Sequence, residues 1–264
     1  MDPATIIGII VAFGAMYTMI SLEGADVSSI LLPAPMILVF GATLAVGFAS
    51  GTIPDAILAL KALPRAFKGG IGKPQAVIDR VVEFAEIARK DGLLALEQHA
   101  SDEKDDFLRL ALQNIADGMD AEELRELLED EIATRDRVNR TAAKFFNTIG
   151  GYAPTIGIIG TVISLTHVLE NLSSPDKLGH SIAGAFVATL WGVLSANLLW
   201  LPIGTRLTRL ADLESERMHL LLEGMLAVQA GSQPRVLGER LRAMVPDHAL
   251  KPSAKGEKPL KEAA

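Results

Sequence analysis

Thr161 and Thr189 each place a hydroxyl inside a long run of the chain that contains no Asp, Glu, Lys or Arg. A threonine in such a run has two uses. It can bond a carbonyl one turn back in its own helix, or, with oxygen neighbours, it can help hold water or a partly dehydrated cation. Moving a proton or a metal cation through an apolar layer usually takes a carboxylate as well, because an ionisable group at that depth is the usual mark of an ion pathway. None is present here, and His167 lies near the end of its run, where water is close. If this chain moves ions, a partner must supply the carboxylate.

Other chemistries find no support. There is no His-Glu-x-x-His pattern, no nucleophile elbow and no pair of carboxylates in a pocket-like context. The glycines of Gly157-Ile158-Ile159-Gly160-Thr161 lack the Gly-Lys-Ser/Thr of a phosphate loop, so nucleotide binding is set aside. No cofactor and no metal site are expected: the absence of cysteine excludes disulfides and thiolate ligands. A net charge of −7 argues against nucleic acid as the main partner.

The elements that must position the threonines are written in the charge pattern. Hydrophobic residues make up 49% of the chain and charged residues 22%, segregated into blocks. Residues 3–22, 27–54, 145–166 and 181–205 carry no charge, and about 20 residues of helix cross a hydrocarbon core. The expected spans are 4–22, 28–50, 149–169 and 181–203. The first run lacks a basic leader and a cleavage pattern and reads as a retained helix rather than a signal peptide. Lysine and arginine crowd positions 55–144 and follow the fourth run as Arg206, Arg209 and Arg217; residues 23–26 have none and 168–180 only Lys177. The positive-inside rule then places both termini and the central segment on the cytoplasmic side of the membrane.

The expected fold class is an all-α membrane protein with four transmembrane helices, a large helical cytoplasmic domain between spans two and three, and a C-terminal cytoplasmic helix. Its parts are a hairpin at 1–53, a cytoplasmic domain at 54–144, a second hairpin at 145–204, C-terminal helices at 205–245 and a disordered tail at 246–264. Ile78, Val81, Val82, Phe84, Ala85 and Ile87 share a broad helical face, and Leu108, Leu110, Leu112 and Ile115 suggest a short helix. A charged helix from 121, capped by Asp120, should run straight into span three, and span four should continue into 206–230. Small residues in spans three and four permit close helix approach. Pro154 and Pro202 lie on the cytoplasmic side of those spans at matching depth, where each removes a backbone hydrogen bond and can kink its helix; the kinks are either static, as is common in membrane helices, or a paired conformational hinge, which the matching depth suggests.

Pro154-Thr155-Ile156-Gly157-Ile158-Ile159-Gly160-Thr161, with the stretches at 167–172 and 174–179, resembles the MotA/PomA flagellar stator subunits of the MotA/TolQ/ExbB superfamily. So do Ala185-Phe186-Val187-Ala188-Thr189-Leu190-Trp191-Gly192, continuing to Pro202, and the stretch at 88–97. The resemblance implies a homopentamer around two copies of a MotB/PomB-type partner, whose transmembrane aspartate carries the ion, and torque delivered to the rotor protein FliG. It implies that Arg89 and Glu97 are the rotor-interface charges, eight positions apart. On an unbroken helix that is a net turn of about 80°, so they would share one broad face unless Gly92 interrupts it. Thr161 matches a threonine of sodium-type members, but Ala188 stands where they tend to have a second one, which leaves sodium favoured over proton and the coupling ion open. A TolQ/ExbB-type energiser is the alternative; those proteins usually have one span before the large loop, not two. A passive membrane scaffold would not explain polar-lined spans that lack a carboxylate.

Overall fold

The structure is a computed structural model that describes residues 4–170 and 175–250. Among them, regular structure is helical throughout. Apolar and charged blocks fold into separate cores, and the chain forms two compact units: Met1–Gly70 with Asp136–Asp212, and Ile71–Arg135 with Leu213–Ala264.

The first unit opens with α1 (Ala4–Leu22), most of whose side chains are exposed. The next charge-free run is not one helix. Asp26 caps a 3-10 turn, Val27–Ile30, by accepting the Ser28 N–H at 2.9 Å, and that bond holds its carboxyl below the ordinary carboxylate range. Only then does α2 (Pro33–Ala49) begin. Pro33 suits a first helical position, where no N–H is needed, and cannot sit deeper in a helix without losing a bond. The second span expected at 28–50 is therefore corrected to a turn plus a 17-residue helix, about 25 Å long. Among the described residues, three helical stretches are long and apolar enough to cross a membrane: Thr5–Leu22, one within Ala121–Glu170 and one within Ser181–Gln229. α2 is a shorter apolar helix.

α3 (Ile53–Lys68) starts on a capping box: Thr52 Oγ1 accepts the Asp55 N–H at 3.3 Å, and Asp55 Oδ2 accepts the Thr52 N–H at 3.2 Å. Its alanines Ala56, Ala59 and Ala66 are buried in a cluster with Phe145, Phe146, Ile149, Ile203 and Leu207. The small side chains let α3 lie close to the large ones, and the compact unit so formed includes α3 with the apolar helices.

The second unit holds α4 (Pro74–Asp91), α5 (Leu96–Asp102), α6 (Asp106–Ala116), the start of α7 (Ala121–Glu170), the end of α9 (Leu201–Gln229) and α10 (Pro234–Ala243). Its core includes Ile78, Phe84, Leu96, Phe107, Leu112, Leu124 and Met218. Each is almost wholly buried, a gain of about 1.5–3 kcal/mol per large side chain. Ion pairs surround it: Arg217–Asp105 at 2.5 Å, Arg125–Glu223 at 3.1 Å and Arg80–Glu103 at 3.2 Å.

As expected, the charged helix from 121 and the third apolar run are one 50-residue helix, α7, and the Asp120 carboxylate accepts the Glu122 N–H at its start. α8 (Pro175–Ser195) continues through a π-helical stretch, Ala196–Trp200, into α9. Disorder is expected from 246, but Asp247–Ala249 is a 3-10 turn and Leu250 packs against the core of the second unit. Residues 251–264, and Asn171, Leu172 and Ser174 of the quoted motifs, lie outside the described residues.

Candidate functional site

Glycine brings the two threonines together. A Cβ placed on Gly157 would lie 2.8 Å from the Ala188 carbonyl oxygen, and one on Gly192 would lie 2.7 Å from that of Ala153. Only glycine permits backbones that near. Contacts pairing 157 with 192 and 161 with 185 make α7 and α8 antiparallel neighbours. At this level the Thr161 hydroxyl meets the Gly157 carbonyl at 3.1 Å, the Ala185 carbonyl at 3.0 Å and the Thr189 hydroxyl. A hydroxyl has one proton. Thr161 donates it to one of the two carbonyls, and Thr189 donates its own to Thr161 Oγ1. The two threonines picked out from sequence thus form one cluster of four oxygens, half-buried and without formal charge. The carbonyl one turn back is within bonding reach of Thr161 but shares it with the Ala185 carbonyl of the facing helix, while Thr189 reaches across to the other helix. Neutral oxygens suit water or a hard cation, but a cation held there needs its countercharge from outside the chain.

The surroundings add parts that sequence reasoning missed. Trp191 donates its indole N–H to the Ile30 carbonyl at 2.6 Å, and its ring lies 5.7 Å from that of Phe40. The 3-10 turn before α2 is thereby tied to α8 within three residues of Thr189. A tryptophan in an apolar run needs an acceptor, so the sequence contained the signal but not the acceptor's identity. The Gly157/Gly192 pair is likewise visible only once the helices are docked.

Neither Pro154 nor Pro202 belongs to the threonine cluster, whose oxygens come from Gly157, Thr161, Ala185 and Thr189. α7 remains helical through Pro154. Pro202 lies two residues beyond the π stretch and borders a cleft of about 360 Å³ between that stretch and α1, with Gly8 and Ala12 on the far side. Leu201 packs on Gly150, so a Cβ there would fall 2.7 Å from the leucine side chain. The helices therefore touch one turn before Pro154.

Arg89 and Glu97 lie in the other unit, on different helices: Arg89 in the last turn of α4, Glu97 in the first turn of α5. Gly92, at φ 85°, ends α4. A side chain disfavours that conformation, so the interruption that Gly92 left open is present, and a 3-10 turn, Leu93–Ala95, separates α4 from α5. Arg89, Lys90, Asp91, Leu94 and Glu97 are all exposed. Neither Arg89 nor Glu97 forms an ion pair among the described residues, whereas Arg80, Arg109, Arg125, Arg217, Arg235 and Arg240 of the same unit are paired.

Residues 99–220 match the MotA/TolQ/ExbB proton channel family. The chain is 33% identical over 256 residues to Motility protein A of Bacillus subtilis, covering 93% of this chain and 92% of that one. It is 32% identical over 247 residues to Chemotaxis protein PomA of Vibrio alginolyticus, covering 92% and 94%. Among solved structures, a chain of C. jejuni MotAB aligns with a TM-score of 0.89 at 28% identity, covering 95% of this chain and 99% of that one. A chain of the flagellar MotAB stator complex of Bacillus subtilis aligns with a TM-score of 0.86 at 32% identity, covering 94% and 97%.

Proposed function

This chain belongs to the MotA family and is a flagellar motor stator subunit, not an enzyme, and from that premise we propose that its threonine cluster is one wall of an ion pathway completed by a MotB/PomB-type partner. Five copies of the chain surround two of the partner. The partner's transmembrane aspartate carries the cation past Thr161 and Thr189, and sodium is favoured over proton. The observation that carries this reading is the meeting of Thr161 and Thr189 across α7 and α8 in runs with no carboxylate. A cation arriving with a carboxylate finds two hydroxyls whose mutual bond can exchange for metal–oxygen contacts, and the countercharge travels with it.

The four charge-free runs span the inner membrane with both termini in the cytoplasm. The exposed apolar side chains of α7 and α8, among them Ile158, Val162, Phe186 and Val193, are the surfaces that neighbouring copies and the partner cover. α2, though short, spans where the bilayer adapts to it. Pro154 and Pro202 act as the conformational hinge; the cleft beside Pro202 gives that segment room to move. Arg89 and Glu97, exposed and without an ion pair among the described residues, face FliG, where weak and salt-sensitive pairs suit a contact made and broken at each step. Similarity along more than nine-tenths of Motility protein A favours this reading over a TolQ/ExbB-type energiser.

Swimming speed titrated against sodium tests the pathway. Thr161→Ala should raise the sodium concentration for half-maximal speed about tenfold, the loss of roughly one oxygen contact worth about 1.4 kcal/mol, while Thr161→Ser restores it. Speed independent of sodium in the unmodified protein, abolished by a protonophore, would establish protons as the coupling ion.

A further inference from the structure

α3 carries two apolar faces. One is the buried alanine face. The other is a stripe at Ile53, Ile57, Leu60 and Pro64, spaced by 4, 3 and 4 positions, and all four are exposed, Ile53 to 70% and Leu60 to 49%. Lys61 and Lys68 are exposed and unpaired among the described residues. At about 100° per residue, the order around the helix is alanine face, apolar stripe, lysines, with the stripe about 110° from the first and about 60° from the last. The helix's one acid, Asp55, is bound into the capping box. The outward charge of α3 is therefore positive.

The level at which α3 sits is fixed by what its alanines touch. On α7 the cluster begins at Ala143, beside Lys144 and the start of the charge-free run; on α9 it holds Ile203 and Leu207, on either side of Arg206. Both helices change from charged to apolar at that level. α3 also begins only four positions after α2 ends. Apolar stripe, basic edge and placement at a polarity boundary are the marks of a helix lying in a membrane–water interface.

We propose that α3 is an interfacial helix on the inner leaflet: Ile53, Ile57, Leu60 and Pro64 enter the acyl boundary, and Lys61 and Lys68 hold anionic phospholipid headgroups. A second copy of the chain is the lesser fit, since four side chains fall well short of the roughly 800 Å² per partner of a stable protein contact. The inference rests on the inner-membrane topology proposed above, and the experiment separates the two.

The chain has no cysteine, so single nitroxide labels go in cleanly at Ile57→Cys, Leu60→Cys, Gln98→Cys and Ile10→Cys, the last on the exposed face of α1. The full chain, co-purified with its MotB-type partner, is placed in vesicles of phosphatidylcholine and phosphatidylglycerol, and each label's accessibility to oxygen and to a water-soluble nickel chelate is read. Labels at 57 and 60 should favour oxygen, as the label at 10 does and that at 98 does not. Chelate access at 57 and 60 with the label at 10 still favouring oxygen overturns the proposal alone. Exclusion of both reagents means that protein covers the stripe and overturns it equally. Chelate access at 10 as well overturns the topology and the proposal together. For the lysines, a fluorophore at Leu60→Cys is quenched by brominated phosphatidylglycerol or brominated phosphatidylcholine. The preference for the anionic lipid should fall about fivefold for each of Lys61→Gln and Lys68→Gln, near 1 kcal/mol per charge; an unchanged preference refutes headgroup binding.

Discussion

At the scale of single residues, the glycines of α7 divide into those that touch and those that do not. Gly157 has the backbone of α8 against it, while nothing lies within 4 Å of a Cβ on Gly151. Gly157→Ala should therefore cost about 1–3 kcal/mol, because backbone cannot move aside as a side chain can, and Gly151→Ala should be neutral or slightly stabilising. Thermal melts of the purified complex read the difference directly, with Gly157→Ala several degrees lower. Arg89 and Glu97 offer the opposite case, since both are exposed and neither side chain makes an ion pair among the described residues. Arg89→Glu combined with Glu97→Arg should lower torque while leaving stator abundance at the membrane unchanged; full torque from the double variant retires their role at the rotor. The residue types were legible in advance. Thr161 and Thr189 stood out as hydroxyls in runs without charge, but their meeting depends on α7 docking on α8, which no local pattern encodes.

At the scale of elements, helix starts and stops follow local chemistry closely. Asp105 caps α6 by accepting the N–H groups of Phe107 at 3.0 Å and Leu108 at 3.4 Å, and its other carboxylate oxygen holds Arg217 at 2.5 Å. Asp105→Ala removes a cap worth about 0.5–2 kcal/mol and strands a guanidinium that is 22% exposed. It should destabilise the second unit by roughly 2–3 kcal/mol, measured as a fall in its denaturant midpoint, with Asp105→Asn retaining part of the cap. The continuous α7 was legible because caps and charge pattern agreed along its length. The split of the second apolar run was not foreseen, although Pro33 and Pro35 stood in it: absence of charge defines a solvent preference, and only backbone donors define where a helix begins. Gly92 likewise announced a break, but the restart at Leu96 depends on burial of Leu96 and Ala100 against the core.

At the scale of the whole molecule, sequence-distant segments share each compact unit, with the boundaries falling inside α7 and α9. Charge blocks made the existence of an apolar and a charged portion legible. They could not assign α3, whose composition is mixed and whose alanines show their purpose only against Phe145 and Ile203. The exposed apolar faces of α7 and α8 leave the single chain incomplete. Native mass spectrometry of the complex with its MotB-type partner should give five copies to two; any other ratio overturns the proposed assembly.

The π stretch at Ala196–Trp200 has a bearing of its own. A π turn holds one more residue than the α turn it replaces, so everything after it is rotated by about 100° from where an uninterrupted helix would put it. Ile203 and Leu207 reach the alanines of α3 only because of that extra residue. Deleting one residue from the stretch would repair the helix and misdirect the side chains beyond it, so chain length there is a determinant of packing independent of residue identity. Insertions and deletions within these five positions should be far less tolerable than substitutions.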